Sequence, residues 1–187
     1  MKAIEIKDIV KVYSGSVKAV DGVSFDVDEG IVFGLLGPNG AGKTTIIKMI
    51  VTLLTITEGQ VSVLGHQRPK EDYDIRNCIG YVPQDVSSDA ALTGYENLLI
   101  SAKLYGHRGK AAKTLCENIL NQLGLWEAKD RIVKTYSGGM IRKLEIGQAM
   151  VHDPKVLILD EPTIGLDPVA RKQVWETLKG REDGACQ

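Results

Sequence analysis

The chain has 187 residues, of which 43% are hydrophobic and 25% charged, a composition that is ordinary for a folded globular protein. Its 23 basic and 24 acidic side chains leave a formal net charge of −1. This balance argues against sequence-independent binding of nucleic acid, which needs an excess of positive charge. No apolar run approaches the roughly 18–20 residues that span a bilayer, and charged residues interrupt the N-terminus, so we expect neither a membrane helix nor a signal peptide. The three cysteines, Cys78, Cys116 and Cys186, are widely spaced and odd in number, which is typical of reduced thiols in a cytosolic protein.

The first third of the chain has the sequence patterns of strands. Residues 2–7 and 23–27 alternate between apolar and polar side chains, as half-buried strands do. Residues 31–36 are almost wholly apolar, which predicts a central strand covered on both faces. Shorter strands are predicted at 61–64 and 78–82.

From about residue 93 the periodicity becomes helical. Thr93 and Glu96 form a capping box that predicts the start of one helix, and an apolar stripe over 112–123 predicts a second. A third helix is predicted to follow Gly138 and to end at about His152. This part of the chain is therefore expected to be a helical lobe inserted between β-rich flanks.

A glycine-rich loop lies between the predicted strand at 31–36 and a predicted helix at 44–54. The loop reads Gly37-Pro38-Asn39-Gly40-Ala41-Gly42-Lys43-Thr44 and satisfies the pattern G-x-x-x-x-G-K-[ST]. Glycines allow backbone N–H groups to curl around phosphate oxygens, and the helix N-terminus adds the positive end of its dipole. We expect Lys43 to reach the β- and γ-phosphates, Thr44 to bind Mg²⁺ through its hydroxyl, and Thr45 to continue the start of the helix. The loop predicts a nucleoside triphosphate site.

An acidic pair, Asp160-Glu161, directly follows the apolar strand predicted at 156–159. Open α/β sheets bind their ligands at the carboxyl ends of strands. Asp160 would hold the Mg²⁺ shell, and Glu161 would polarise the attacking water, because nucleotide hydrolysis depends mainly on positioning and charge neutralisation. From local sequence alone, a strand that ends in a solvated acidic pair is the alternative.

Four further motifs follow the order of a known family. Residues 136–140, Tyr-Ser-Gly-Gly-Met, resemble the signature of ABC-type ATPases, Val82-Pro83-Gln84 resembles the Q-loop of that family, and Gly165-Leu166-Asp167 resembles its D-loop. Tyr13 lies where the family places an aromatic ring that stacks on adenine, although an ordinary aromatic at a strand end is the alternative. With the phosphate loop and the acidic pair, the resemblance covers residues 2–180.

Within this family the chain is most similar to the ATP-binding subunit of exporters of the daunorubicin- and multidrug-resistance type, a likeness carried by the signature and by residues 92–98 and 134–136. The resemblance implies an α/β fold of the P-loop NTPase class, with a RecA-like core, an N-terminal antiparallel β lobe and an inserted helical lobe. It divides a single cassette into a β lobe with the nucleotide-binding core (1–89), a helical lobe with the signature (90–152), a return of the core with the acidic pair and the D-loop (153–180), and an irregular tail (181–187).

The resemblance also implies a mechanism with partners. Two cassettes, identical or different, would face head to tail, and each ATP would lie between the phosphate loop of one and Ser137, Gly138 and Gly139 of the other, with Asp167 nearby. The start of a helix at this signature agrees with an anion site, although a plain N-cap with a hinge is the local alternative. Gln84 would contact Mg²⁺ and the attacking water. Its loop would couple the helical lobe to a separate membrane permease at the inner face of the membrane. The alternative from local sequence is that Gln84 lies in an ordinary surface turn.

One departure from the family's pattern is Met140, which replaces the more usual glutamine and removes the side-chain contact expected there. A second departure follows a last helix, which is predicted from the cap at Asp167-Pro168 and the apolar stripe Ala170, Val174 and Leu178. The family continues into a buried strand that ends in a switch histidine, whereas residues 180–187 contain neither an apolar run nor a histidine. We therefore expect the final strands to be missing, residues 31–36 and 156–159 to be short of ladder partners, and turnover to be impaired while nucleotide binding partly survives.

Two other functions stay open at this point. One is a soluble ABC ATPase in translation or DNA repair, although neither tandem cassettes nor long coiled-coil insertions are evident. The other is a nucleotide-binding module that does not hydrolyse ATP, in which the nucleotide only promotes association.

Overall fold

The computed structural model describes residues 1–163 and 166–179. They fall into two compact units, Met1–Ile79 and the part of the chain from Gly80 onward. The predicted tail at 181–187 and Gly165 of the predicted D-loop lie outside the described residues.

The first unit is built on an antiparallel sheet whose four strands run in the order β2-β1-β3-β4. These strands are β1 (Lys2–Tyr13), β2 (Val17–Asp28), β3 (Glu58–Val63) and β4 (His66–Gln67). Tyr13 lies opposite Val17 where β1 turns into β2, and Ile4 lies opposite Val63 where β1 pairs with β3. The alternation read from the sequence is therefore a real sheet pattern, with Ile6 buried at the centre of the unit. The predicted N-terminal antiparallel β lobe is confirmed.

Two helices complete this unit, α1 (Lys43–Ile50) and α2 (Asp72–Cys78). The Arg68 guanidinium joins them: its Nε donates to a carboxylate oxygen of Asp72 at 2.9 Å, and its Nη1 donates to the carbonyl oxygen of Met49 in the last turn of α1. A cation at this end of a helix interacts favourably with the helix dipole. The buried side chain of Arg68 therefore stabilises the end of α1 that lies away from the glycine-rich loop.

Residues 31–36 do not form the buried central strand that their sequence predicted. They are irregular, and Ile31, Val32 and Leu36 are 54%, 72% and 91% exposed. No strand among residues 1–163 and 166–179 forms a ladder with this segment. Without a ladder partner the backbone N–H and C=O groups take their hydrogen bonds from water, so the segment stays at the surface. The prediction of a covered strand was wrong.

The second unit combines a small sheet with four helices. Its elements are β5 (Ile79–Val82), β6 (Val156–Leu159), α3 (Gly94–Leu104), α4 (Gly109–Gln122), α5 (Gly138–Met150), α6 (Pro168–Lys179) and 3-10 turns at Trp126–Ala128 and Val133–Thr135. β5 and β6 are hydrogen-bonded neighbours, and β6 is half-buried. In the described part of the chain, β6 has no neighbour other than β5.

The predicted helices form as their sequence signals indicate. The Thr93 hydroxyl oxygen accepts from the Glu96 backbone N–H at 3.1 Å, and the Glu96 carboxylate accepts from the Thr93 N–H at 2.8 Å, so α3 begins with a complete capping box. Gly124 follows α4 with a φ of +64°, as expected of the residue that ends a helix. No helix in the described ranges is both long and apolar enough to cross a membrane.

The helices of this unit pack around a shared apolar core. Its fully buried members come from three helices: Leu98 from α3, Cys116 and Leu120 from α4, and Leu144 from α5. A second cluster packs the β5 end against the far half of α5, with Val82, Ile146 and Met150 as members. Both ends of α5 are thereby fixed within the unit, and the predicted signature lies at its first turn.

Candidate functional site

The predicted phosphate loop runs directly into the N-terminus of α1. Gly42 is the N-cap residue, and Lys43 is the first residue of the helix. The Lys43 ammonium donates to the carbonyl oxygens of Gly37 at 2.9 Å and Pro38 at 3.0 Å, so it lies across the loop. Asn39, Gly40 and Ala41 form the exposed turn between these two ends. A cation, a helix N-terminus and an exposed turn of backbone together make a site for an anion such as a phosphate chain.

Gly42 is required at its position for two separate reasons. Its φ of +85° lies in the left-handed region that other residues rarely adopt. A Cβ on Gly42 would also lie 2.6 Å from the Ala19 carbonyl oxygen and 3.1 Å from Val20 Cγ2, both in β2. The loop can approach β2 this closely only because the residue has no side chain. Thr44 and Thr45 follow, partly buried, in the first turn of α1.

Tyr13, the predicted adenine-stacking residue, is 41% exposed at the end of β1. The ammonium of Lys11 lies 5.5 Å from the centroid of its ring. Lys11 is itself held by the Thr55 carbonyl oxygen at 2.8 Å. An exposed ring next to a fixed cation leaves a flat face available, and stacking on adenine stays a prediction.

The predicted acidic pair occupies the end of β6. The Asp160 N–H donates to the Val82 carbonyl oxygen of β5 at 3.0 Å, and Asp160 is only 1% exposed. Glu161 has a φ of +50°, which is uncommon for a residue with a side chain and is typical of strained functional sites. Burial raises the pKa of the nearby Tyr81 phenol, and the negative charges of Asp160 and Asp85 raise it further. The end of this small sheet is therefore a region of negative potential, which suits a cation-binding role for Asp160.

The predicted signature begins α5. Ser137 is its N-cap residue, and the Ser137 hydroxyl oxygen accepts from the Met140 N–H at 3.3 Å. This contact uses the backbone of Met140, so it does not need the glutamine that the family usually has there. A Cβ on Gly139 would lie 2.9 Å from the Ala170 Cβ, so this glycine permits close packing of α5 on α6.

The described part of the predicted D-loop caps α6. One Asp167 carboxylate oxygen accepts from the N–H groups of Val169 and Ala170, each at 2.9 Å. Leu166 lies next to the start of α5, since a Cβ on Gly138 would be 3.1 Å from its Cδ2. The predicted D-loop and the predicted signature are thus neighbours in the second unit.

The predicted Q-loop residue Gln84 follows β5 with an exposed side chain, while its backbone is held by a residue that the sequence reading missed. Arg142 of α5 donates from Nη1 to the Pro83 carbonyl oxygen at 2.7 Å and from Nη2 to the Gln84 carbonyl oxygen at 3.1 Å. Because Asp160 bonds to Val82, just before Pro83, Gln84 and Asp160 leave neighbouring strand ends.

Glu145, also missed from sequence, completes this arrangement. Its carboxylate accepts from Arg142 Nη1 at 3.0 Å and from the Ser87 N–H at 2.5 Å. Opposite charges three residues apart on a mostly apolar helix were the signal that could have found the pair.

The structure places the predicted site residues in two groups. Tyr13 and residues 37–45 belong to the first unit, and the second unit holds Gln84, Ser137, Gly138, Gly139, Asp160, Glu161 and Asp167.

Comparison with known proteins finds similarity over most of the chain. The sequence profile of the ABC transporter family matches residues 20–164. The daunorubicin/doxorubicin resistance ATP-binding protein DrrA of Streptomyces peucetius is 44% identical over 182 residues, which are 97% of this chain and 55% of that protein. The linearmycin resistance ATP-binding protein LnrL of Bacillus subtilis (strain 168) is 44% identical over 177 residues, 94% of this chain and 56% of that protein. This chain thus spans little more than half the length of these curated relatives.

A solved structure shows the same fold. CbiO1 from Clostridium perfringens, described as part of the ABC transporter complex cbiONQ, superposes with a TM-score of 0.88 at 26% identity, covering 98% of this chain and 74% of its own. The likeness confirms the P-loop NTPase fold that the motifs predicted. The profile match over most of the chain and the identities above 40% lead to one conclusion: the chain belongs to the ABC transporter family.

Proposed function

We propose that this chain is the ATP-binding and ATP-hydrolysing subunit of an exporter. It powers the efflux of a drug-like or lipid-like compound through a separate membrane subunit, and it works at the cytoplasmic face of the membrane. The observation that carries the proposal is the Lys43 ammonium held across the glycine-rich loop at the N-terminus of α1. The names of the two relatives, both resistance ATP-binding proteins, support export over a role in translation or DNA repair.

ATP binding is assigned to the first unit. The Lys43 ammonium and the backbone N–H groups of residues 37–45, apart from Pro38, which has none, hold the β- and γ-phosphates, since these are donors at the positive end of a helix dipole. Tyr13 stacks on the adenine ring, where an exposed aromatic face next to Lys11 provides the surface.

Hydrolysis is assigned to the acidic pair. A water oxygen attacks the γ-phosphorus, the bond from that phosphorus to the β,γ-bridging oxygen breaks, and ADP and inorganic phosphate leave. The Glu161 carboxylate accepts a hydrogen bond from the attacking water and, as the new P–O bond forms, takes the proton that the water loses, while Gln84 orients the same water. Thr44, Gln84 and Asp160 offer a hydroxyl, an amide and a buried carboxylate oxygen, a donor set that suits Mg²⁺. When bound, Mg²⁺ neutralises charge on the phosphates.

A second cassette completes the reaction. Ser137 and the N–H groups of Gly138 and Gly139 open α5 and stabilise the γ-phosphate of the ATP held by the partner cassette, identical or different, with Asp167 beside them. Gln84 and the helical part of the second unit transmit the nucleotide state to the permease. CbiO1, described as part of a transporter complex, supports this arrangement.

The test is a comparison of the wild-type chain with Glu161→Gln, which keeps the shape of the side chain and removes its basicity. ATP hydrolysis should fall at least about 100-fold, the usual loss when a general base is removed. Nucleotide affinity should stay within about twofold, because the phosphates are bound elsewhere. In gel filtration, the variant should elute as a dimer with ATP and Mg²⁺ and as a monomer without them.

The matched control is Glu127→Gln, which makes the same exchange at an exposed position in a 3-10 turn. It should hydrolyse ATP at the wild-type rate. A wild-type chain that binds ATP and dimerises but releases no phosphate would support the non-hydrolysing module instead. A chain that neither binds nor associates would refute both functions.

A further inference from the structure

A buried ion pair lies in α5, and its arginine is two residues beyond Met140 of the predicted signature. Arg142 Nη1 and the Glu145 carboxylate are 3.0 Å apart, and their side chains are 7% and 1% exposed. Charges this deeply buried are costly unless their remaining donors and acceptors are also satisfied. The question is therefore what else these two side chains bind.

Their other contacts all go to one loop. Arg142 donates to the carbonyl oxygens of Pro83 and Gln84, at 2.7 Å and 3.1 Å. Glu145 accepts from the N–H of Ser87 at 2.5 Å and from its hydroxyl at 3.1 Å. The ion pair thus holds residues 83–87 at both ends and leaves the side chain of Gln84 exposed. We call these contacts the loop clamp.

The two side chains of the loop clamp, Arg142 and Glu145, lie in α5, the helix that begins with the predicted signature. Ser137 caps α5, and Arg142 follows about 7 Å further along the helix axis, at 1.5 Å per residue. A single α-helix of this length is stiff, so whatever moves its first turn also moves Arg142 and Glu145. The loop that carries Gln84 must follow.

We propose that Arg142 and Glu145 are positioning residues that hold Gln84 and the signature as one rigid body. This inference rests on the proposed function, since it takes the roles of Gln84 and Ser137 from there. The clamp keeps Gln84 at a fixed distance from the residues that contact the partner's ATP, so docking of the two cassettes also places Gln84 for hydrolysis. An arginine is needed because its planar fork can reach two carbonyl oxygens and a carboxylate together, whereas a lysine ammonium cannot.

The central experiment measures steady-state ATP hydrolysis and nucleotide affinity in Arg142→Lys. This variant keeps the positive charge beside Glu145 and loses the fork. We expect kcat to fall about tenfold, because small displacements of a positioned group are costly to the rate. The dissociation constant of ATP should stay within about twofold, because the phosphate loop belongs to the other unit. Lys143→Gln, at the adjacent and partly exposed position of α5, is the control and should keep the wild-type rate.

A double-mutant cycle with Gln84→Ala separates positioning from general damage. If Arg142 acts through Gln84, the double variant should be no slower than Gln84→Ala alone, within about twofold. Rate losses that multiply in the double variant would overturn the proposal, since they would mean that Arg142 only supports the fold. If Arg142→Lys fails to fold, Ser87→Ala replaces it in the same double-mutant cycle, because this variant keeps the ion pair and removes only the hydroxyl contact with Glu145.

Hydrogen exchange tests the clamp independently of ATP hydrolysis. In the wild-type chain the Ser87 amide should exchange at least about tenfold more slowly than that of its exposed neighbour Val86, because only the first donates to a buried carboxylate. Equal exchange would overturn the clamp even if the proposed function holds. A protected Ser87 amide in a chain that hydrolyses no ATP would overturn the proposed function, and with it the positioning role, while leaving the contacts themselves in place.

Discussion

Replacing Gly42 by alanine should destabilise the first unit through two effects that a neighbouring glycine allows to be separated. Gly42 and Gly40 have almost the same φ, +85° and +83°. A Cβ on Gly40 would meet nothing within 4 Å, whereas a Cβ on Gly42 would lie 2.6 Å from the Ala19 carbonyl oxygen. Gly40→Ala therefore introduces backbone strain alone, and Gly42→Ala introduces the same strain together with a clash.

The expected magnitudes follow from these two distances. An alanine in the left-handed region costs about 1–2 kcal/mol, so Gly40→Ala should lower the free energy of unfolding by that amount. A contact of 2.6 Å with a backbone oxygen cannot be relieved by turning a side chain, so β2 or the loop must move. Forced movement of well-packed groups costs about 1–3 kcal/mol more. Gly42→Ala should therefore lower the free energy of unfolding by about 2–5 kcal/mol in total, as the sum of those two costs.

Urea unfolding without nucleotide, followed by circular dichroism, measures the difference between the two variants. Gly15→Ala is a further control outside the phosphate loop, with φ of +82° and open space around the new Cβ. It should match Gly40→Ala. Equal losses for Gly40→Ala and Gly42→Ala would refute the reasoning, because they would show that the loop does not press against β2. A loss for Gly42→Ala without any loss for the controls would refute the strain estimate instead.

Three further predictions concern the second unit. Thr93→Ala should lower the free energy of unfolding by about 1 kcal/mol at pH 7 in a urea titration, the usual loss of an N-cap. The Thr93 N–H and hydroxyl lower the pKa of the Glu96 carboxyl, so the separate stabilisation that these two donors give through the carboxylate should be present in the wild type above pH 4.5, the ordinary pKa, and be lost as the pH falls through the depressed value. Burial raises the pKa of the Cys116 thiol to about 11. Iodoacetamide at pH 8 should therefore leave this thiol unmodified until urea unfolds the chain, and peptide mass mapping measures the modification. The contribution of Cys116 to the free energy of unfolding should decline as the pH rises from 9.0, the ordinary pKa, towards 11. Gly139→Ala should weaken ATP-dependent dimerisation in gel filtration without changing the ATP affinity of the monomer, because its Cβ would force α5 away from Ala170.

The parts of the fold that sequence predicted well are those whose cause is local. The capping box of α3 needs only Thr93 and Glu96, three residues apart, and the end of α4 needs only a glycine that accepts a positive φ. The phosphate loop is local in the same sense, since the Lys43 ammonium meets the carbonyl oxygens of Gly37 and Pro38 only a few residues earlier. In each case the chemical requirement and the residues that meet it are contiguous, so a pattern can show them.

The contacts that sequence missed join distant residues. Arg68 binds Met49, 19 residues earlier, and through Asp72 it holds α2, a helix with no strong apolar stripe of its own. Arg142 reaches Pro83 across 59 residues, and Glu145 reaches Ser87 across 58. The spacing of charges on α5 indicates that Arg142 and Glu145 form a pair, but it does not predict what else they bind. Their other partners include backbone groups, which every loop possesses. Only the packing of α5 against the end of β5 selects them.

The segment at 31–36 was predicted wrongly for a related reason. An apolar run indicates that a segment would gain from burial, at about 25 cal/mol for each Å² removed from water, but it does not provide the neighbours that bury it. A central strand is a property of its sheet, because each edge needs a ladder partner, and the described chain offers none to this segment. The phosphate loop that follows it forms nevertheless, since its shape depends on Gly42, Lys43 and the contact with β2. A binding loop whose residues are contiguous can thus be predicted from sequence more reliably than the strand that precedes it. The expectation of impaired turnover, which rests on the strands and not on the motifs, finds no support in the described contacts or in the comparisons.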